Sequence, residues 1–205
     1  YIIKIYFNYI YMINLNNIKF INILTSTVLV ETIMLFMFRY TKSVWSGKAI
    51  NDWYDNLKWS AIILDILIVM IGFYINIYFC KYFKINSYYQ ILFCQLALQI
   101  IHDILFYVFF IKKIPQGENP VWDEFKLYAK NIGIGAIYGD SYMYLLGVPL
   151  LMKTLKLTND KLIFISLCCL YIIGYLIHQK PLYKFKTYNL EFLLPFIFPK
   201  LNINN

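Results

Sequence analysis

Apolar residues in this chain come in long blocks separated by short polar stretches, and the blocks are set at 20–38, 59–79, 88–111, 132–152 and 162–178. Lysine bounds each block, and none contains Lys or Arg. Crossing ~30 Å of hydrocarbon as a helix takes about 20 mostly apolar residues. The blocks show no barrel-like alternation, and in lipid every backbone amide has to be satisfied within its own segment, so each predicts an α-helix. The expected fold class is all-α, a polytopic transmembrane bundle of five spans (20–178) between an N-terminal arm (1–19) and a C-terminal tail (179–205). In the polar stretch before the fourth block, the breakers Pro115, Gly117 and Pro120 precede Trp122, Phe125, Tyr128 and Ala129. That spacing predicts a short amphipathic helix lying in the interface. The tail after Pro181 has an apolar patch at 192–198, interrupted by Pro195 and too short to cross, which predicts a surface-resting segment. The chain opens at Tyr1 and its first methionine is Met12, so 1–11 reads as translated upstream sequence or a fragment boundary.

Composition agrees with this pattern. Of 205 residues, 60% are hydrophobic, 20% aromatic and only 15% charged, whereas soluble domains carry about 25% charged residues. Disorder, a disulfide scaffold and an ordinary soluble enzyme are therefore poor readings. The net charge of +8 rests on scattered lysines and a single arginine, Arg39. They sit at block ends, where snorkelling and the cytoplasmic-loop bias account for them, so no nucleic-acid partner is expected. Lys and Arg number seven on the side of the N-terminal arm and twelve on the other, which predicts an outside N-terminus and a cytoplasmic C-terminus. All four tryptophans, Trp45, Trp53, Trp59 and Trp122, fall on the richer side, as an aromatic belt would. Cys80, Cys94, Cys168 and Cys169 include no Cys-x-x-Cys pair, so neither disulfide, metal nor other cofactor is expected.

The candidate chemistry lies in Glu31, Asp65, Asp103 and Asp140, one in each of the first four blocks. An ionised group at mid-bilayer costs ~2.5–3.5 kcal/mol on insertion scales, so these acids need partners or protons. Successive helices run in opposite directions, yet all four acids fall about 9–12 Å below the Trp-rich surface at 1.5 Å per residue. They are expected to form one polar cluster. Gln95, Gln99, His102 and Asp103 make a single stripe of the third block, and Ala61, Asp65, Gly72 and Asn76 share a face of the second. In the fourth, Ala136, Asp140 and Gly147 share a face while Gly135 and Gly139 make a small-residue surface, and Gly135, Gly139 and Gly147 are expected to admit a neighbouring helix. A trace of duplication accompanies this. Ala-Ile-x-x-Asp followed by Gly occurs at Ala61 to Gly72 and again at Ala136 to Gly147, and Glu31 and Asp103 are each followed seven residues on by phenylalanine. Two helices per unit would give a parallel repeat about an axis along the membrane normal.

The leading reading of the acids is packing, with hydrogen bonds worth ~0.6 kcal/mol on average. The alternative is a proton or cation pathway, since acids without built-in Lys or Arg either keep a proton or await a mobile cation. A remote alternative is an intramembrane aspartyl protease using Asp65 and Asp140. Ile137 stands where that motif needs glycine, and Pro149 follows on the same helix. His102-Asp103 lacks the further histidines of a metal phosphohydrolase, and Gly139-Asp140-Ser141 lacks the strand and base of a serine esterase. Trp53-Tyr54, 61–65, 99–107 with His102-Asp103, 125–130 and 139–143 with Gly-Asp-Ser together resemble a multi-pass membrane family of nucleocytoplasmic large DNA viruses, over roughly 27–152. The resemblance implies a viral protein of a host endoplasmic-reticulum-derived or internal virion membrane. It implies lipid as the first partner, with other membrane or capsid proteins and further copies of the chain as candidates, and it supplies no activity.

Overall fold

A computed structural model describes residues 12–41 and 47–180. Among them are seven α-helices: α1 (Phe20–Tyr40), α2 (Lys48–Leu57), α3 (Trp59–Tyr82), α4 (Tyr88–Phe106), α5 (Pro120–Ile132), α6 (Gly135–Thr154) and α7 (Asn159–Leu176). A π-helical turn, Tyr107–Ile111, prolongs α4, with the Lys112 amide donating five residues back to the Tyr107 carbonyl at 3.0 Å. Four of these elements are long and apolar enough to cross a membrane: Phe20–Tyr40, Trp59–Tyr82, Tyr88–Ile111 and Asn159–Leu176. Large apolar side chains such as Tyr78, Phe93, Phe164 and Tyr171 stay exposed on their outer faces, as lipid-facing surfaces require.

The centre is α1, which packs on α3, α6 and α7. Some of its small polar residues bond across to the neighbouring helices. Asn22 Nδ2 donates to the Thr154 carbonyl at 3.1 Å, and Thr25 Oγ1 meets Ser166 Oγ at 2.9 Å. Around this seam Val30, Leu35, Phe73, Val148 and Ile173 form the dry core. The N-terminal arm from Met12 lies along the α3–α4 turn, with the Ile13 amide bonded to the Asn86 carbonyl and Leu15 packed on Cys80 and Ile91.

The fifth expected span is a helix of sufficient length, α6, but it falls outside the set apolar enough to cross. Tyr138, Asp140, Ser141, Tyr142 and Lys153 lower its hydropathy, and Gly133 separates it from α5. The interfacial helix expected near Trp122 is α5, started by Pro120 with Asn119 accepting from the Val121 amide at 2.8 Å. Its counterpart α2 was not expected. Residue 45, the first eleven residues and the tail beyond 180 lie outside the described residues.

The two amphipathic helices turn into long ones through the same backbone. Lys58 joins α2 to α3 at φ 51, ψ −125, and Gly133 joins α5 to α6 at φ 56, ψ −129. That left-handed region suits Gly133, whereas for lysine it costs about 1–3 kcal/mol.

Gly135 and Gly139 do not make the helix contact expected of them. A Cβ on Gly139 would meet nothing within 4 Å, and one on Gly135 would meet only Ile132 of its own chain segment. The close approach occurs at Gly147, where a Cβ would lie 2.8 Å from the Phe73 ring, because this is the face α6 turns toward α1 and α3. Gly147→Ala should therefore lower stability by about 1–3 kcal/mol, while Gly139→Ala should be neutral or gain up to about 1 kcal/mol. Unfolding in detergent checks this, and the reverse order would contradict the packing.

Candidate functional site

A cavity of about 110 Å³ lies in the Trp-rich half of the bundle, walled by α1, α3, α4 and α6 and roofed by α2 and α5. Asp65, Asp103 and Asp140 line it from three different helices, and among the described residues no Lys or Arg does. Gln99, His102, Gly139 and Tyr144 also line it, with Trp53, Tyr54, Phe125 and Tyr128 reaching it from the roof.

Glu31, fully buried on α1, joins the group through Tyr54. The Tyr54 hydroxyl lies 3.0 Å from Glu31 Oε1 and 3.1 Å from Asp65 Oδ2, and Trp53 Nε1 donates to that same Asp65 oxygen at 3.4 Å. Burial first, then the Glu31 and Asp65 carboxyls, push the Tyr54 hydroxyl well above the ordinary phenol value, so it remains a proton donor. On α4, Gln99 Nε2 donates to Asp103 Oδ1 at 2.6 Å, and His102 Nδ1 is 3.1 Å from the same oxygen. Among the described residues two carboxyl oxygens are buried without a donor, Glu31 Oε2 and Asp103 Oδ2. Buried acceptors in this state are uncommon, and each calls for a proton, a water or an ion to complete it.

The roof is tied down chemically. Arg39, the single arginine, is fully buried at the end of α1. Its Nη1 donates to Asn51 Oδ1 at 3.1 Å and its Nη2 to Asp55 Oδ1 at 2.9 Å, both on α2. Asn56 Nδ2 donates to Glu124 Oε1 at 2.8 Å between the two roof helices, and the Trp53 and Phe125 rings sit 4.6 Å apart. Phe106 and Phe110, at the junction of α4 with the π turn, both stack on Trp122 of α5. The wider turn presents these two rings on one side, and the Lys126 ammonium bonds the Ile114 carbonyl.

Of the sequence-derived residues, Asp65, Gln99, His102, Asp103 and Asp140 face one cavity and Glu31 adjoins it. Gln95 does not. It is fully buried, with both amide atoms unpartnered, beside Gly72 and away from the cavity lining. Two helical turns separate it from Asp103, which carries it too far toward the opposite surface. His102 is half-exposed at the rim. Asn76 serves the α3–α4 contact by donating to the Ile91 carbonyl at 3.1 Å. Sequence reasoning missed Tyr54 as the bridge and Tyr128 and Tyr144 as walls. A signal for them existed: the offset of 75 residues relating Asp65 to Asp140 also relates Trp53 to Tyr128, Val69 to Tyr144 and Lys58 to Gly133, and each of the first two pairs lines the cavity.

Among the described residues, no group of His, Cys, Asp and Glu side chains is arranged to hold a metal ion. Protein-family models, curated proteins and solved structures contain no match to this chain.

The roof's dependence on Arg39 is testable. Arg39→Gln removes charge-assisted bonds worth about 1.5–3 kcal/mol and should loosen α2, shifting tryptophan emission to the red. Asp55→Asn should cost less than about 1 kcal/mol, because Asp55 is 42% exposed and its share of the pair is screened. Equal losses would mean that Arg39 does not organise the roof.

Proposed function

We propose that this chain is an integral membrane protein in which α1, α3, α4, α6 and α7 all cross the bilayer, and that its roofed cavity takes up and passes protons or other small cations. The observation that carries this is the convergence of three aspartates from separate helices on one cavity that no Lys or Arg among the described residues enters. A role in packing alone is best served by carboxyl groups with all acceptors filled, and Asp103 Oδ2 is buried without a donor. The crossing of α6 is carried by its neighbours: it packs between α1 and α4, so its polar face meets protein and cavity instead of lipid. The lysine distribution orients the roofed face toward the cytoplasm.

The cavity is built from two related halves, α1–α2–α3 and α4–α5–α6. Supporting this are the matched turns at Lys58 and Gly133 and the pairs Ile50/Phe125, Trp53/Tyr128, Asp65/Asp140, Ile68/Met143 and Val69/Tyr144, each at the same offset and all lining the cavity. Glycines at the same offset complete the match, Gly72 lying against Tyr144 and Gly147 against Phe73. The protease alternative would need Asp65 and Asp140 free to share one proton. The bonds of Asp65 to Tyr54 and Trp53 favour the proton pathway.

A second reading, a structural component of a viral membrane, draws support from the resemblance and from the seam of Asn22, Thr25 and Ser166, where buried polar groups serve packing alone.

Purified protein in liposomes holding a pH-sensitive dye separates the two. Proton flux should fall at least tenfold in Asp103→Asn and Asp140→Asn while both variants insert and remain monodisperse. Flux equal to that of protein-free vesicles in the unaltered chain would discard the pathway and leave the packing role.

A further inference from the structure

The two halves of the cavity differ at one telling position. Tyr54 in α2 corresponds, at the shared offset, to Ala129 in α5. The first half therefore has a hydroxyl between its two acids, and the second has no side-chain hydroxyl at the matching position.

Proton counting gives this difference a consequence. Asp65 Oδ2 faces two donors, Trp53 Nε1 and the Tyr54 hydroxyl, and acts as a carboxylate acceptor. The hydroxyl has one proton, and once that is directed at Asp65 its contact with Glu31 Oε1 at 3.0 Å requires a proton on Glu31. Burial argues the same way. Glu31 is fully buried with Oε2 lacking any donor, a setting in which an ionised carboxylate is strongly disfavoured and the neutral acid is tolerated.

We infer that Tyr54 holds a resident proton between Glu31 and Asp65, so that the cavity's acids divide into this occupied pair and an exchanging pair, Asp103 and Asp140. The inference rests on the proton-pathway reading of the cavity and names Tyr54 as its positioning residue. When the proton moves, it leaves Glu31 Oε1 for the Tyr54 oxygen as the hydroxyl proton passes to Asp65 Oδ2. Glu31 becomes the carboxylate, Asp65 the acid, and Tyr54 is neutral before and after. Among the described residues no hydroxyl joins Asp103 to Asp140, and Ala129 at the matching position has none to offer.

Infrared spectroscopy of the reconstituted full chain, transferred from H₂O to D₂O, tests this. A protonated-carboxyl band should be present at neutral pH, disappear in Glu31→Gln, and persist in Asp103→Asn and Asp140→Asn. In Tyr54→Phe, which keeps the ring, that band should shift to higher frequency as its hydrogen bond is lost and exchange with deuterium at least tenfold faster. Absence of the band in the unaltered chain, its persistence in Glu31→Gln, or an unmoved band in Tyr54→Phe would overturn the assignment. Should Tyr54→Phe fail to fold, the Glu31→Gln comparison decides alone. The dye assay reads the pathway separately: a Glu31 band with no flux upholds the resident proton and discards proton passage.

Discussion

A carboxyl group placed in hydrocarbon must be given donors, a counter-charge or a proton, and the surroundings of Glu31, Asp65, Asp103 and Asp140 follow from that demand. Among the described residues no lysine or arginine lines the cavity, so none of them supplies a counter-charge to these acids. Donors are supplied instead by neutral groups, Tyr54, Trp53 and Gln99, each brought to its acid by a particular element. Gln99 needs only its own helix, being one turn before Asp103. Tyr54 and Trp53 need a second helix folded back over the bundle, which is what α2 provides.

That requirement explains the expense of the α2 anchorage. A fully buried arginine at the end of a long helix is costly unless its donors are used, and Arg39 spends two of them on Asn51 and Asp55. A lysine turn at φ 51 then reverses the chain into α3 within one residue. Both features are unfavourable when taken singly. Together they fix α2 so that Tyr54 reaches Glu31 and Asp65 at once. On the other side of the roof, α5 is held by aromatic stacking of Trp122 on Phe106 and Phe110, and its turn is made by glycine, without the strain at Lys58.

The all-helical class and the amphipathic α5 were legible because each rests on periodicity or on apolar length, which are local properties. The level of the acids could be counted along each helix, and Asp65, Asp103 and Asp140 do share one cavity. What could not be read is which neighbour each polar group would meet. Gln95 shares a stripe with Asp103 yet lies apart from the cavity, because a stripe two turns long spans more depth than a small cavity does. Gly135, Gly139 and Gly147 were all expected to admit a helix, and of these Gly147 does while Gly139 borders the cavity; small size licenses a close approach without choosing the partner. The helix α2 was hidden by its polar composition, since its amphipathic face is one Trp-Tyr pair and a few aliphatics within ten residues.

The proposed relation between α1–α2–α3 and α4–α5–α6 adds a constraint that neither set of helices shows alone. Position 129 of α5 matches the Tyr54 position of α2 at the shared offset and carries alanine. Were both to carry alanine, Glu31 would be fully buried with neither oxygen hydrogen-bonded, a cost nothing else in its surroundings offsets. Glu31 is fully buried while Asp103 stands at 14% exposure beside His102, so the hydroxyl sits on the side where its absence would cost more. Asp103 is reached instead by the half-exposed His102 imidazole and by Gln99 of its own helix. The roof hydroxyl thus stands against the more deeply buried acid, where an unfilled acceptor would cost most.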